Sequence, residues 1–342
     1  MNKIFIILIY LIHILTKCEP RKKNLILGAI KNYSWNKIKP FFVSLTESNF
    51  ENYDCVMFVI NISIRTIKKL KSIGVMVFEF PKKYRKIRVN NVRYKLYEEY
   101  LRDKLDKYSM VLHVDVRDSF FQDNIFKIYE NKGPFIGFSL EDGRIEERIN
   151  SGWISYQYGN RILEKIKNET IICSGIIWGT SNEFYYLIGN IWKQIESKFL
   201  YDKKIIDQST TNYLIYYKKI FKGKIETSNN DFGYVMTLGL SNINNYSFDI
   251  NENLLNFKAK KKVAIIHQYD RKSQLVEIVK RKFISKKESN LHLNYKIKDR
   301  IDEINENKKS NLTFVLINNV FLLFLLLKKI VNQKYLIKKM LK

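Results

Sequence analysis

Three short apolar runs alternate with helical patterns, and this alternation constrains the fold more than any other feature. The runs are residues 25–30 (Leu-Ile-Leu-Gly-Ala-Ile), 55–60 (Cys-Val-Met-Phe-Val-Ile) and 75–80 (Val-Met-Val-Phe-Glu-Phe). Each has the length and apolar content of a buried strand. Residues 38–45 between the first two have helical spacing, and residues 63–73 form an amphipathic pattern stopped by Gly74. Strand, helix, strand, helix, strand predicts βαβ units, and so an α/β fold with a mainly parallel sheet flanked by helices. Further on, the pattern predicts helices over 92–107 and 183–199 and another opening at Asp207, with strands over 109–114, 133–138, 171–179 and 263–271. Residues 141–147 have the composition of an acidic loop, and residues 280–309 are charged and irregular. No internal repeat is visible.

The strand at 109–114 runs straight into two carboxylates, in Asp115-Val-Arg-Asp-Ser-Phe-Phe-Gln122. Asp115 therefore falls at the carboxyl end of a strand, where open α/β sheets bind their ligands. A turn at Val116 and Arg117 brings residues i and i+3 within about 7 Å, so both carboxylates can face one cation. Mg²⁺ and Mn²⁺ take oxygen ligands and commonly share them with substrate phosphates. The residues point to a metal-dependent enzyme acting on a nucleoside diphosphate. Asp at such a junction also serves as a turn former or helix cap, and the pair alone does not choose.

At 342 residues with 46% hydrophobic side chains, the chain can bury one large α/β core. Only 13 Gly and 4 Pro argue against a linker-rich or fibrous protein. The net charge of +26 raises the question of a nucleic-acid partner. The lysines, however, are spread over every segment rather than gathered on one motif, and no nucleic acid is expected. Cys55 and Cys173 lie inside apolar runs and are expected as buried thiols rather than a disulfide.

Both ends carry apolar segments. Residues 4–15 are too short to span a bilayer and fit the apolar region of a signal peptide, or of an uncleaved signal anchor. Residues 312–327 are marginal for a transmembrane helix, and six lysines without an acid follow them. The expected organisation is a signal over 1–18, a catalytic domain over 24–283, a charged stalk over 284–310, a candidate transmembrane helix over 311–331 and a basic tail over 332–342. That topology places the domain in the lumen of the secretory pathway (ER/Golgi), associated with its membrane. Asn-x-Ser/Thr sequons at Asn32, Asn61, Asn168, Asn245 and Asn311 suit a lumenal protein, although several arise by chance in so Asn-rich a chain.

Four boxes occur in order: Asp115-Val-Arg-Asp-Ser-Phe-Phe-Gln122, Ile172-Cys-Ser-Gly175, Asp207-Gln-Ser-Thr-Thr-Asn212 and His267-Gln-Tyr-Asp270. Together, over residues 24 to 275, they resemble the GT-A class of nucleotide-sugar glycosyltransferases. The resemblance implies a GT-A-like (Rossmann-like) sheet and transfer of a sugar from a nucleoside-diphosphate sugar to a glycan, protein or lipid acceptor hydroxyl. It implies that Asp115, Asp118 and His267 hold the metal, Mn²⁺ or Mg²⁺, with the imidazole favouring Mn²⁺. The spacing here is Asp-x-x-Asp rather than the commoner Asp-x-Asp, which leaves open which carboxylate meets the ion. The resemblance gives Asp207 and Gln208 the catalytic positions lining donor sugar and acceptor. Ser174, Gly175 and Asn212 belong to the donor-binding boxes, with Ser174 and Gly175 letting the backbone pass close to the sugar or merely fitting a tight turn, and Arg93 is either a partner of the diphosphate or a surface arginine. For an inverting reaction, Asp207, Glu141 and Asp142 are the candidate bases. Two rivals stand beside this. An aspartyl phosphotransferase needs Asp at i and i+2, and residue 117 is Arg. A non-catalytic, membrane-anchored protein binding polyanions or glycans on a degenerate fold would bind in a salt-dependent way and survive loss of both carboxylates.

Overall fold

The structure is a computed structural model that describes residues 22–198, 204–242 and 246–285. Strand β1 (Lys23–Lys31) leads into helix α1 (Trp35–Glu47), strand β2 (Tyr53–Ile60), helix α2 (Ile64–Ser72) and strand β3 (Met76–Glu79). Ser63 caps α2 by accepting a hydrogen bond from the Thr66 amide at 3.1 Å, and Gly74 leaves it at φ +96°. Helix α3 (Val89–Leu101) then returns the chain to β4 (Tyr108–Val114). It begins three residues earlier than the spacing predicts and stops short of 107, where residues 105–107 make a separate 3₁₀ turn.

Next come β5 (Ser119–Phe121), α4 (Ile125–Tyr129), β6 (Phe135–Arg144), α5 (Arg148–Tyr158), α6 (Asn160–Ile166), β7 (Thr170–Thr180) and α7 (Ser181–Glu196). The expected acidic loop is therefore half strand, because β6 continues through Arg144 by pairing with β7 across two register shifts. Helix α8 (Asp207–Asn212) is followed by β8 (Lys224–Ser228), β9 (Val235–Thr237), β10 (Ser247–Phe248), β11 (Leu254–Leu255), β12 (Ile265–His267) and α9 (Ser273–Val279). Residues 280–284, expected to be irregular, continue α9 as a π-helical turn and bury Phe283.

The central sheet has the order β3-β2-β1-β4-β7-β6-β8, and only β7 runs against the others. The mixed, mainly parallel sheet flanked by helices agrees with the sequence expectation. Its inner strands β1, β2, β4 and β7 are largely apolar because both faces are covered, whereas the edge strands β3 and β8 are partly exposed. Along β1, Leu25 and Leu27 pack with Tyr94, Tyr97 and Leu101 of α3, while Ile26 and Ile30 pack with Phe41, Phe42 and Leu45 of α1. A second sheet, β5-β12-β9, stands beside the first. In it His267 pairs with Ser119 and with Thr237.

The order places a topological switch point between β1 and β4, since the chain leaves β1 toward β2 and later returns on its other side. Ligands of open α/β sheets bind outside the carboxyl ends at such a point. Tyr33 follows β1 there, and Asp115 and Asp118 follow β4. Among the described residues no helix is long and apolar enough to cross a membrane. The proposed signal, the candidate transmembrane segment and tail, and the sequons at Asn245 and Asn311 lie outside them, as does all but the first two residues of the proposed stalk.

Candidate functional site

Beyond Val114 the chain bends. Val116 is buried, and its side chain fills space left by Gly28 of β1, where an added Cβ would lie 2.5 Å from it. That anchor sets Asp115 and Asp118 on either side of an outward residue, Arg117. On the neighbouring sheet, the β5–β12 pairing brings His267 across from Ser119. Ligand atoms of Asp115, Asp118 and His267 all lie within 4.8 Å of one another. His267 Nε2 is 3.6 Å from Asp115 Oδ2 and 3.8 Å from Asp118 Oδ1, too far for hydrogen bonds. It is buried and has no hydrogen-bond partner. Two carboxylates and an imidazole nitrogen aimed at one point fit a divalent ion of the Mn²⁺ type.

Gly175 makes this convergence possible. A Cβ there would lie 2.4 Å from His267 Cε1 and 2.8 Å from Asp115 Oδ2, so any side chain would push the group apart. Its carbonyl accepts from the Asp115 amide at 2.8 Å. The room this glycine leaves is taken by the side chains of His267 and Asp115.

Beneath Asp115 lies an ion-pair knot. Arg93 Nη1 bonds Asp115 Oδ1, and Nη2 bonds Asp207 Oδ2 at 2.6 Å and the Ser174 carbonyl at 3.0 Å. Ser174 Oγ donates to the same Asp207 oxygen at 3.0 Å. Burial alone would raise the Asp115 carboxyl, but the Arg93 guanidinium, with His267, holds it far below the usual range. Burial raises Asp207, with Arg93 pulling the other way. His113 under Asp115 is kept neutral by burial and by Arg93, with Nδ1 3.1 Å from the Tyr97 hydroxyl. Burial disfavours a charged His267, yet Cys173, Asp115 and Asp118 together raise it well above an ordinary histidine.

Several assignments are thereby corrected. Arg93 is neither a surface residue nor open to a diphosphate, because its side chain is 3% accessible and both terminal nitrogens are engaged. Ser174 is closed into the same knot. Asn212 exchanges hydrogen bonds with the Ile172 backbone at 2.9 and 2.8 Å and donates to the Gln208 carbonyl, which pins α8 to β7 and leaves no amide hydrogen for a donor. Asp207 is 2% exposed and already held, so it acts here as the counter-ion that positions Arg93. Gln208 is the partly open member of its box. Its amide donates to Glu141 Oε1 at 3.1 Å and to Asn150 Oδ1 at 2.9 Å. Glu141 sits almost buried, its carboxyl raised by burial, and Asp142 beside it is more open and also raised by burial.

Three participants were not singled out from sequence. Cys173 places Sγ 3.5 Å from His267 Nδ1, on the side of the ring away from the carboxylates. Arg117 bonds Asp118 Oδ2 at 2.8 Å and reaches Asp270 Oδ2 at 3.2 Å. Tyr33 lies close enough to Arg117, Asp115, Asp118 and Asp270 for each to bear on its phenol. Position within the quoted boxes was the available signal for the first two. Tyr33 carried none beyond following the first strand.

The rest of the boxes is scaffold. Gln122 donates to the Leu254 and Val263 carbonyls at 3.0 and 2.9 Å and accepts from the Leu254 amide. Tyr269 packs edge-on against Phe120 at 5.5 Å.

No protein-family model matches this chain, and no curated protein matches it. Solved structures similar to it include two of LgtC, an active-site mutant and the galactosyltransferase in complex with donor and acceptor sugar analogues. Each is 14% identical, with a TM-score of 0.48 over 78% of this chain and 98% of that one. Likeness at this level assigns no chemistry.

Proposed function

We propose that the protein is a metal-dependent glycosyltransferase that moves a sugar from a nucleoside-diphosphate sugar to an acceptor hydroxyl. The observation that carries this reading is the convergence of Asp115, Asp118 and the unpartnered His267 Nε2 at the switch point of a mainly parallel sheet. Asp115, Asp118 and His267 would hold a Mn²⁺ or Mg²⁺ ion, which supplies neutralising charge to the diphosphate leaving group.

The chain's own residues supply position. Arg93 fixes the carboxylate of Asp115 from below and ties it to α8, so that the two boxes keep one geometry. Cys173 on Nδ1 orients the His267 ring with Nε2 toward the carboxylates. Gln208 joins that wall to Glu141. Of the candidate bases, Glu141 has a buried carboxyl, raised by that burial, that accepts from the partly open Gln208.

Lumenal placement and membrane attachment are part of the same proposal and rest on the sequence of residues 4–15 and 312–327, the basic tail and the sequons. Protease protection of the domain in intact microsomes tests them.

For the activity, the purified full-length chain would be given a panel of UDP- and GDP-sugars with and without Mn²⁺. Nucleotide release only with metal, and lost in Asp118→Ala, establishes the class and names the donor. A folded protein that binds no nucleoside diphosphate with metal present would instead favour the anchored polyanion- or glycan-binding protein.

A further inference from the structure

The reading above leaves the diphosphate with the metal ion but without a cationic side chain, because Arg93 is closed off. We propose that Arg117 is the residue that meets the diphosphate, and that Asp270 is its resting partner in the free protein. This rests on the glycosyltransferase reading and deepens it.

The two arginines differ in access. The Arg117 side chain is 41% accessible and the Arg93 side chain 3%. Arg117 reaches both of its carboxylates through one nitrogen, Nη2, at 2.8 Å to Asp118 and 3.2 Å to Asp270. A guanidinium carries five donor hydrogens in a planar fork. Those two contacts leave the rest of the fork for paired phosphate oxygens, which match its geometry better than a lysine would. The anchored Val116 on one side and the ligand carboxylates on the other fix where that fork emerges.

The two partners are not equivalent. Asp118 is 8% accessible and faces His267, whereas Asp270 is 33% accessible and belongs to the turn after β12. Asp270 is thus the partner an incoming dianion can replace, while Asp118 stays with the metal set. Of the neighbouring cations after β12, Lys272 is taken by the Ser241 carbonyl at 2.7 Å. The Asp-x-x-Asp spacing acquires a purpose in this arrangement, since its extra residue sets a cation between two metal-facing carboxylates.

The test is calorimetric titration of UDP and of GDP, with saturating Mn²⁺, into the full chain and into Arg117→Gln, Arg117→Lys and Asp270→Asn, with Mn²⁺ alone titrated in parallel. Arg117→Gln should weaken whichever nucleotide binds by about tenfold, with Arg117→Lys between it and the wild type. Asp270→Asn should tighten it by about threefold, the scale of a released half-exposed ion pair. Affinity for Mn²⁺ alone should stay within about twofold throughout. Arg117→Gln binding as tightly as the wild type would overturn the assignment. So would an equal loss of nucleotide and Mn²⁺ affinity, which would make Arg117 only a support for Asp118. Weaker binding in Asp270→Asn would remove the resting-partner role. If the wild type binds neither nucleotide, the glycosyltransferase reading itself falls and takes this inference with it.

Discussion

The same parallel strands carry a charged cluster at each end, and the two are built differently. At the amino ends, Asp54 is buried with Lys107 Nζ at 2.5 Å, the Tyr108 hydroxyl at 2.7 Å and Lys23 Nζ at 3.6 Å. Its Oδ2 takes two hydrogen bonds, and its Oδ1 faces the Lys23 ammonium. At the carboxyl ends, Asp115, Asp118 and His267 converge without bonding one another, and buried nitrogens of His267, His113 and Arg93 have no partner. A buried polar atom without a partner costs stability. A cluster that closes on itself supports the fold, and one left open is shaped for something that arrives.

Five substitutions would break or sharpen that contrast. The largest effect is expected from Asp118→Ala, with turnover falling by at least about 10³-fold, or about 4 kcal/mol, and little change in melting temperature. Comparable loss of stability would move the open cluster into the structural class. Arg93→Met should cost about 3 kcal/mol in urea unfolding, because two buried carboxylates lose their counter-ion. A mild effect there would mean the knot is looser than its distances indicate.

Gly175→Ala should weaken Mn²⁺ binding by about thirtyfold, close to 2 kcal/mol, by forcing His267 and Asp115 apart. Electron paramagnetic resonance of the bound ion reads it directly. Cys173→Ala should cost about tenfold in Mn²⁺ affinity with the fold intact, the usual scale for a group that orients a ligating histidine. At the other end of the sheet, Asp54→Asn should lose about 1 kcal/mol of stability and leave Mn²⁺ binding unchanged. An effect on metal there would dissolve the distinction between the two ends.

The sequence shows six of the seven strands of the large sheet because their signal is local, and misses the polar edge strand β8. Cys55 to Ile60 and Ile171 to Gly179 are apolar at nearly every position, and burial on both faces requires that. It also singled out Asp115 and Asp118, because a carboxylate at a strand end is visible as such. It misjudged Arg93, Ser174 and Asn212 for one shared reason. Each is a polar residue whose partner lies far off in sequence, 114 residues away for Arg93 and Asp207 and 40 for Asn212 and Ile172. From sequence alone, a polar side chain near a site looks like a ligand contact. Only packing reveals that its hydrogen bonds are already taken. The acidic loop failed similarly, since strand pairing with β7 overrode the local preference of Glu141 to Arg144 for a turn.

By itself, then, the sequence determined the layered α/β fold, the free buried thiols of Cys55 and Cys173, and a pair of acids at the end of β4, since periodicity and strand-end position are local properties. The tertiary structure decided that His267 joins that pair while Asp270 turns to Arg117. It also decided that Arg93 is locked beneath the site while Arg117 stands at its mouth. Those choices depend on which strand of the small sheet lies beside β5 and on the room Gly28 and Gly175 leave, and three-dimensional neighbours set both.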